Sequence, residues 1–166
     1  MKDCLLAVLR RDLETVRRTL EAYPDEADLW KGLPGVNNCA GTLALHLAGN
    51  LRHFIGAQLG GSGYVRDRDA EFRDRDVPRA ELSERLILAE MEVTAAFGAM
   101  DEDALDRPWP GGILGMPVRT GDFLLHLCGH LTYHLGQMDF HRRVVTGNNE
   151  SILALTIDEL HTAKQA

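Results

Sequence analysis

Apolar residues early in the chain fall at Leu5, Leu9, Leu13, Val16 and Leu20, with Arg10, Arg11, Arg17 and Arg18 largely between them. Steps of three and four predict an amphipathic helix from about Asp3 to Glu21, ending before Tyr23-Pro24. Residues 24–38 hold Pro24, Gly32, Pro34 and Gly35 and read as a connection. Asn37 or Asn38 is placed to cap a second helix, Cys39 to Leu59, which stops at Gly60-Gly61-Ser62-Gly63. Residues 66–76 carry nine charges, four positive and five negative, the pattern of a solvated arm. A third helix runs from Pro78, suited to a first turn, to Met100.

Residues 101–119 contain Pro108, Pro110, Pro117, Gly111, Gly112 and Gly115, which no helix accommodates. They also carry Trp109, Ile113, Leu114, Met116 and Val118, costly to leave in water. A short extended flap folding back over the mouth of the bundle is the expectation. The last long helix opens at Thr120 or Asp122 and reaches about Val145, with Gly147 suited to a left-handed C-terminal cap. The tail, Ser151 to Ala166, is expected to form one short helix. Four long helices predict an all-α four-helix bundle in a single domain, 1–166.

Composition narrows the function. The 166 residues suit one domain, and 45% apolar with 26% charged is a globular balance. A formal charge of −7 disfavours nucleic acid, whose phosphates demand a local excess of Lys and Arg. No apolar run is long enough to span a membrane, and the N-terminus lacks the uninterrupted stretch of a signal peptide. Three distant cysteines without a CxxC favour a reducing cytoplasm over a disulfide framework.

Histidine is the informative residue. Four of the seven lie between His126 and His141. His126, His130, His134 and His141, with Gln137, share one helical stripe, because four residues turn a helix about 40° past a full circle. Leu124, Leu127, Cys128, Leu131 and Leu135 beside them make this helix central to the bundle. A histidine pair four residues apart chelates one ion well. His126 and His134 are separated by about 12 Å of rise, so one straight helix supplies two ligands, His126/His130 or His130/His134. The second helix offers a third: His46, Asn50 and His53 share a stripe there, and His46 lies in the apolar run Leu43-Ala44-Leu45-His46-Leu47-Ala48. H-E-x-x-H and Glu-x-x-His metal motifs are absent.

The segment His126-Leu-Cys-Gly-His130-Leu-Thr-Tyr-His134-Leu-Gly-Gln137 resembles the last-helix signature of the DinB-like superfamily. Leu45-His46-Leu-Ala-Gly-Asn50, followed by Arg66-Asp-Arg-Asp-Ala-Glu71-Phe72, resembles one subfamily of that group. The resemblance implies an up-down-down-up bundle, commonly a homodimer. It implies a divalent metal, usually nickel or zinc, on His46, His130 and His134. His126 falls on a recurring histidine of the subfamily, outside the ligand set. Relatives include transferases and isomerases that use low-molecular-weight thiols. A thiol-dependent S-transferase is therefore the most concrete expectation, with Asn50, Tyr133 and Gln137 orienting ligands or substrate and His126 as acid or base. A metal-dependent hydrolase and a non-catalytic metal or small-ligand binding module are the alternatives.

Overall fold

The computed structural model describes residues 1–101, 103–154, 156–157 and 160. It is all-α, with no strand among the described residues. The long helices are α1 (Lys2–Glu21), α2 (Ala40–Leu51), α4 (Arg79–Ala99) and α5 (Thr120–Thr146); α3 (Arg68–Arg73) is a single short piece. Each long helix packs against two others in a ring: α1 on α5, α5 on α2, α2 on α4, and α4 on α1.

Periodicity explains the packing. On α1 the buried apolar residues are Leu5, Leu9, Leu13, Val16 and Leu20, and on α4 they include Leu82, Leu86, Ala89 and Val93. Each set is a stripe facing the core; on α1, Arg10 is exposed, whereas Arg11, Arg17 and Arg18 are half-buried along its flanks. On α2, every residue from Ala40 to Leu51 is buried. The central helix is therefore α2. The last helix, expected to be central, leaves Leu125, Tyr133, Phe140 and Val144 exposed along one face. A buried polar lock joins α1 to α5: Thr132 donates to Asp12, which also accepts from Arg11 at 2.8 Å.

Helix boundaries follow the sequence with informative departures. Neither Asn37 nor Asn38 caps α2; the N-cap residue is Cys39, without a side-chain cap bond. Beyond Leu51 the second helix continues as a π-helix, Arg52–Leu59, in which Gly60 N–H donates to the Ile55 carbonyl five residues back. This wider winding rotates everything after Leu51 away from the 3.6-residue register. The last helix ends as expected on Gly147, at φ 69°. Residues 151–154 are not helical, and most of the tail predicted as a short helix lies outside the described residues.

The expected flap is present as paired bridges rather than strands. Pro108 pairs with Arg119 and Ile113 with Met116, and Trp109 N–H donates to the Val118 carbonyl at 2.7 Å. Its two ends fare differently. Trp109 is buried, with its ring 4.7 Å from Phe123 and its Nε1–H donating to Gln58 at 2.8 Å. Leu114, at the tip, is 92% exposed and holds φ at 50°, a left-handed conformation that a branched side chain resists. The flap therefore anchors chiefly through Trp109, with Ile113 and Val118 partly buried against the core, while Leu114 at its tip stays in water. Trp109→Ala is expected to cost about 3–5 kcal/mol, the range for emptying a buried aromatic site. Leu114→Asn is expected not to lower Tm, since Asn tolerates positive φ. Thermal melts of the two variants against wild type check both.

Candidate metal centre

Helices α2 and α5 face each other, and the contact brings three imidazoles together. His46 comes from α2, and His130 and His134 come from consecutive turns of α5. His46 Nε2 and His134 Nε2 each lie 3.2 Å from His130 Nε2. The three ligand atoms fall within 4.8 Å of one another. Ligand nitrogens at about 2.0–2.1 Å around a tetrahedral ion stand about 3.3 Å apart, so two of the three separations match such an ion.

Hydrogen bonds behind the rings fix which nitrogen faces inward. His46 Nδ1 lies 3.0 Å from Glu71 Oε2, and His134 Nδ1 lies 2.7 Å from Gln137 Oε1. Both partners are acceptors, so both Nδ1 atoms carry the proton and both Nε2 atoms present lone pairs. Outer partners of this kind orient a ligating imidazole and raise its basicity. His130 Nδ1 is buried without a partner. The donor set, three converging imidazole nitrogens on two rigid helices, can hold a metal ion.

Glu71 is the residue the charge pattern hid. It lies in α3, inside the segment read as a solvated arm, yet it is only 6% exposed. Arg66 grips it with two bonds, Nε to Oε1 at 2.7 Å and Nη2 to Oε2 at 2.8 Å. Burial pushes the Glu71 carboxyl up, but the bonds from Arg66 and His46 outweigh it and hold the group below its usual range. The carboxylate fits because α2 has glycine at its point of approach: a Cβ on Gly49 would lie 2.1 Å from Glu71 Oε1. Phe72 covers the other side of His46, with ring centroids 5.0 Å apart. The sequence signal was Glu71-Phe72, a carboxylate followed by an aromatic in an otherwise exposed charge run.

The remaining candidates separate. His126, one turn before His130, stacks on Phe123 with ring centroids 5.7 Å apart, and its ring lies 6.3 Å from that of His130. It borders the triad without joining it. Asn50, one turn after His46, is 6% exposed, and its Oδ1 has no partner. Tyr133 is exposed, with its ring 5.2 Å from that of His134. His53, on the expected stripe, is carried aside by the π-helical winding and accepts from Gln58 at 3.1 Å. His141 is buried far down α5, where its Nε2–H donates to the Lys31 carbonyl at 2.8 Å and its Nδ1 accepts from Tyr23 at 2.7 Å.

Electrostatics favour neutral rings. Burial, then the neighbouring His134 and His46, lowers His130 to about 4. Burial also lowers His134, against the bond to Gln137. The protein's own sulfur is not part of the centre. Cys128 is buried, and burial pushes its thiol up to about 12; Cys39 is buried beside Thr42, and Cys4 is exposed near the N-terminus.

An all-α chain holding three histidines together from two facing helices has the architecture of the DinB-like superfamily. Within it, the chain belongs to the mycothiol-S-transferase family, whose sequence model matches residues 4–147. No curated protein matches the chain. If Glu71 holds His46 in its ligating tautomer, Glu71→Gln is expected to weaken zinc binding about 10- to 100-fold, the usual cost of losing such a support. Competition against a chelating dye measures it, and unchanged affinity rejects the role.

Proposed function

We propose that the protein is a metal-dependent thiol S-transferase that joins a low-molecular-weight thiol, in keeping with its family mycothiol, to an electrophilic carbon. The observation that carries this reading is the convergence of three Nε2 atoms, two of them fixed as lone-pair donors from behind. His46, His130 and His134 hold the ion, and imidazole donors suit nickel or zinc. A divalent ion held by these three residues would supply Lewis acidity that brings a thiol's ionisation toward neutral pH.

The chain's residues then divide the work. His126, beside the triad, takes the S–H proton. The sulfur forms a carbon–sulfur bond, and the leaving group departs with the bonding electron pair. Asn50 offers a buried acceptor that a ligand N–H or O–H satisfies; leaving it unmet costs about 1–3 kcal/mol. Tyr133 and Gln137 orient the thiol on the α5 side. Burial pushes the Cys128 thiol up, in keeping with a reacting sulfur supplied by the substrate. The unit proposed is one cytoplasmic domain, residues 1–166, with up-down-down-up helices paired as a homodimer. No helix among the described residues is long and apolar enough to cross a membrane.

Metal analysis of purified protein is expected to give one divalent ion per chain. His134→Ala is expected to lose most of it, and His141→Ala, whose ring is spent on Tyr23 and Lys31, to keep it. Equal metal in wild type and His134→Ala overturns the ligand assignment. Metal-loaded protein that conjugates no electrophile to mycothiol leaves a binding module instead of an enzyme. Light scattering is expected to give twice the 18.4 kDa of one chain; a single-chain mass across a wide concentration range rejects the dimer.

A further inference from the structure

The outer face of α5 is apolar where it meets water. Leu125 and Tyr133 are each 65% exposed, Phe140 is 62% exposed and Val144 51%. Exposed Val36 borders Tyr133 on one flank, and exposed Met1 borders Leu125 on the other, so the patch is wider than one helix. A contiguous apolar patch on a protein surface marks an interaction site.

Two rows with a seven-residue step run along this face. One is Asp122, Gly129, Gly136 and Arg143; beside it lies His126, Tyr133 and Phe140. Seven residues fall about 20° short of two full turns, so each row keeps to one side of the helix and suits a second helix wound along it. The glycines carry the same message. Glycine inside a helix costs about 1 kcal/mol against alanine. At Gly41, Gly49 and Gly56 the chain itself explains the choice, since an added Cβ would clash with Trp30, Glu71 or Glu92. At Gly129 and Gly136 an added Cβ meets no described atom within 4 Å, and neither residue holds a positive φ. Packing within the single chain gives them no role. A second backbone lying close against them does.

The order of residues in the rows sets the direction of that second helix. An antiparallel copy places Gly129 level with Gly136 and Asp122 level with Arg143, so opposite charges meet at both ends of the seam. A parallel copy would place Asp122 on Asp122 and Arg143 on Arg143. Both groups are exposed and already paired along their own helix, Asp122 with Arg119 and Arg143 with Asp139, each at 2.8 Å. Across the seam these pairs extend into a network. Opposed helix dipoles favour the same direction. In the neighbouring row, Tyr133 meets its own copy and Phe140 lies beside His126.

We propose that a second copy of this chain docks antiparallel on the outer face of α5, with the two-fold axis between Thr132 and Tyr133, and that it supplies its Phe140 to the rim of the triad beside His126. The inference deepens the dimer proposed above and rests on that reading. The two triads then open along one seam, because each Tyr133 ring lies 5.2 Å from that of His134 in its own chain.

The test uses full-length, zinc-loaded protein in light scattering, where wild type is expected at twice the 18.4 kDa of one chain. Gly129→Gln/Gly136→Gln places side chains in space that is open in the single chain and raises helix propensity. Its helicity and zinc content are expected to be kept while its mass falls to that of one chain. Phe140→Ser is expected to weaken the dimer at least tenfold in sedimentation equilibrium; an unchanged dimer removes Phe140 from the seam. Direction is read by a short bis-maleimide in a Cys4→Ser background, because Cys39 and Cys128 are buried. Tyr133→Cys is expected to link to its own copy across the axis. Leu125→Cys is not, since its two copies stand about 20 Å apart along the helices. The reverse pattern overturns the antiparallel register. A glutamine variant that keeps the double mass overturns this face and leaves the dimer standing. Wild type at the mass of one chain overturns dimer and face together; if it then floats with vesicles of phosphatidylcholine and phosphatidylglycerol, the face belongs to a membrane. Mycothiol turnover by the same protein reports on the transferase reading independently.

Discussion

Three imidazole Nε2 atoms converge on one point, two of them held as lone pairs from behind, and the rest of the structure answers to that constraint. Proton transfer onto an inward-facing nitrogen would spoil the donor set. Glu71 and Gln137 oppose this by claiming the Nδ1 protons of His46 and His134 from behind. Glu71 is able to do so only as a carboxylate inside the protein, and Arg66 keeps it one. A buried ion pair of this kind contributes little net stability, because desolvation offsets attraction. Its value here is directional: it sets the orientation of one ring.

Holding that pair in place shapes the second helix. A carboxylate reaches His46 across the surface of α2 only where the surface is notched, and Gly49 is the notch. Glycine inside a helix is unfavourable by about 1 kcal/mol relative to alanine. The complete burial of α2 between α4 and α5 offsets that cost. Local helix propensity is thus given up at one position so that a residue from another segment can reach the centre.

Much of this was legible in the chain. The apolar stripes of α1 and α4 and the four-residue steps on α5 are direct readings of helical period; the steps put His126, His130 and His134 on one stripe and left the choice between the two adjacent pairs open. His46 was legible because a histidine in an apolar run needs a partner. Three features were not. The π-helical winding after Leu51 has no signature in the hydrophobic period, so the stripe containing His53 broke where periodicity predicted continuity. Glu71 looked like one acid among nine charges, since pattern alone does not reveal which member of a charge run points inward. The centrality of α2 over α5 was hidden because both helices are apolar on the faces that meet, and only the packing shows which has an outer face left over.

The state of Cys128 has a consequence for handling reactive compounds. Electrophiles alkylate thiolates, and low-molecular-weight thiols form mixed disulfides through them. At ordinary pH the Cys128 sulfur, on the same helix as His130 and His134, is a protonated thiol turned toward the Leu5 carbonyl and shielded from solvent. A catalyst working on electrophiles with its own exposed thiolate beside the reaction would be consumed by its substrate. With this sulfur withdrawn into the wall of the bundle, Cys128 is kept out of reach of electrophiles that alkylate exposed thiolates.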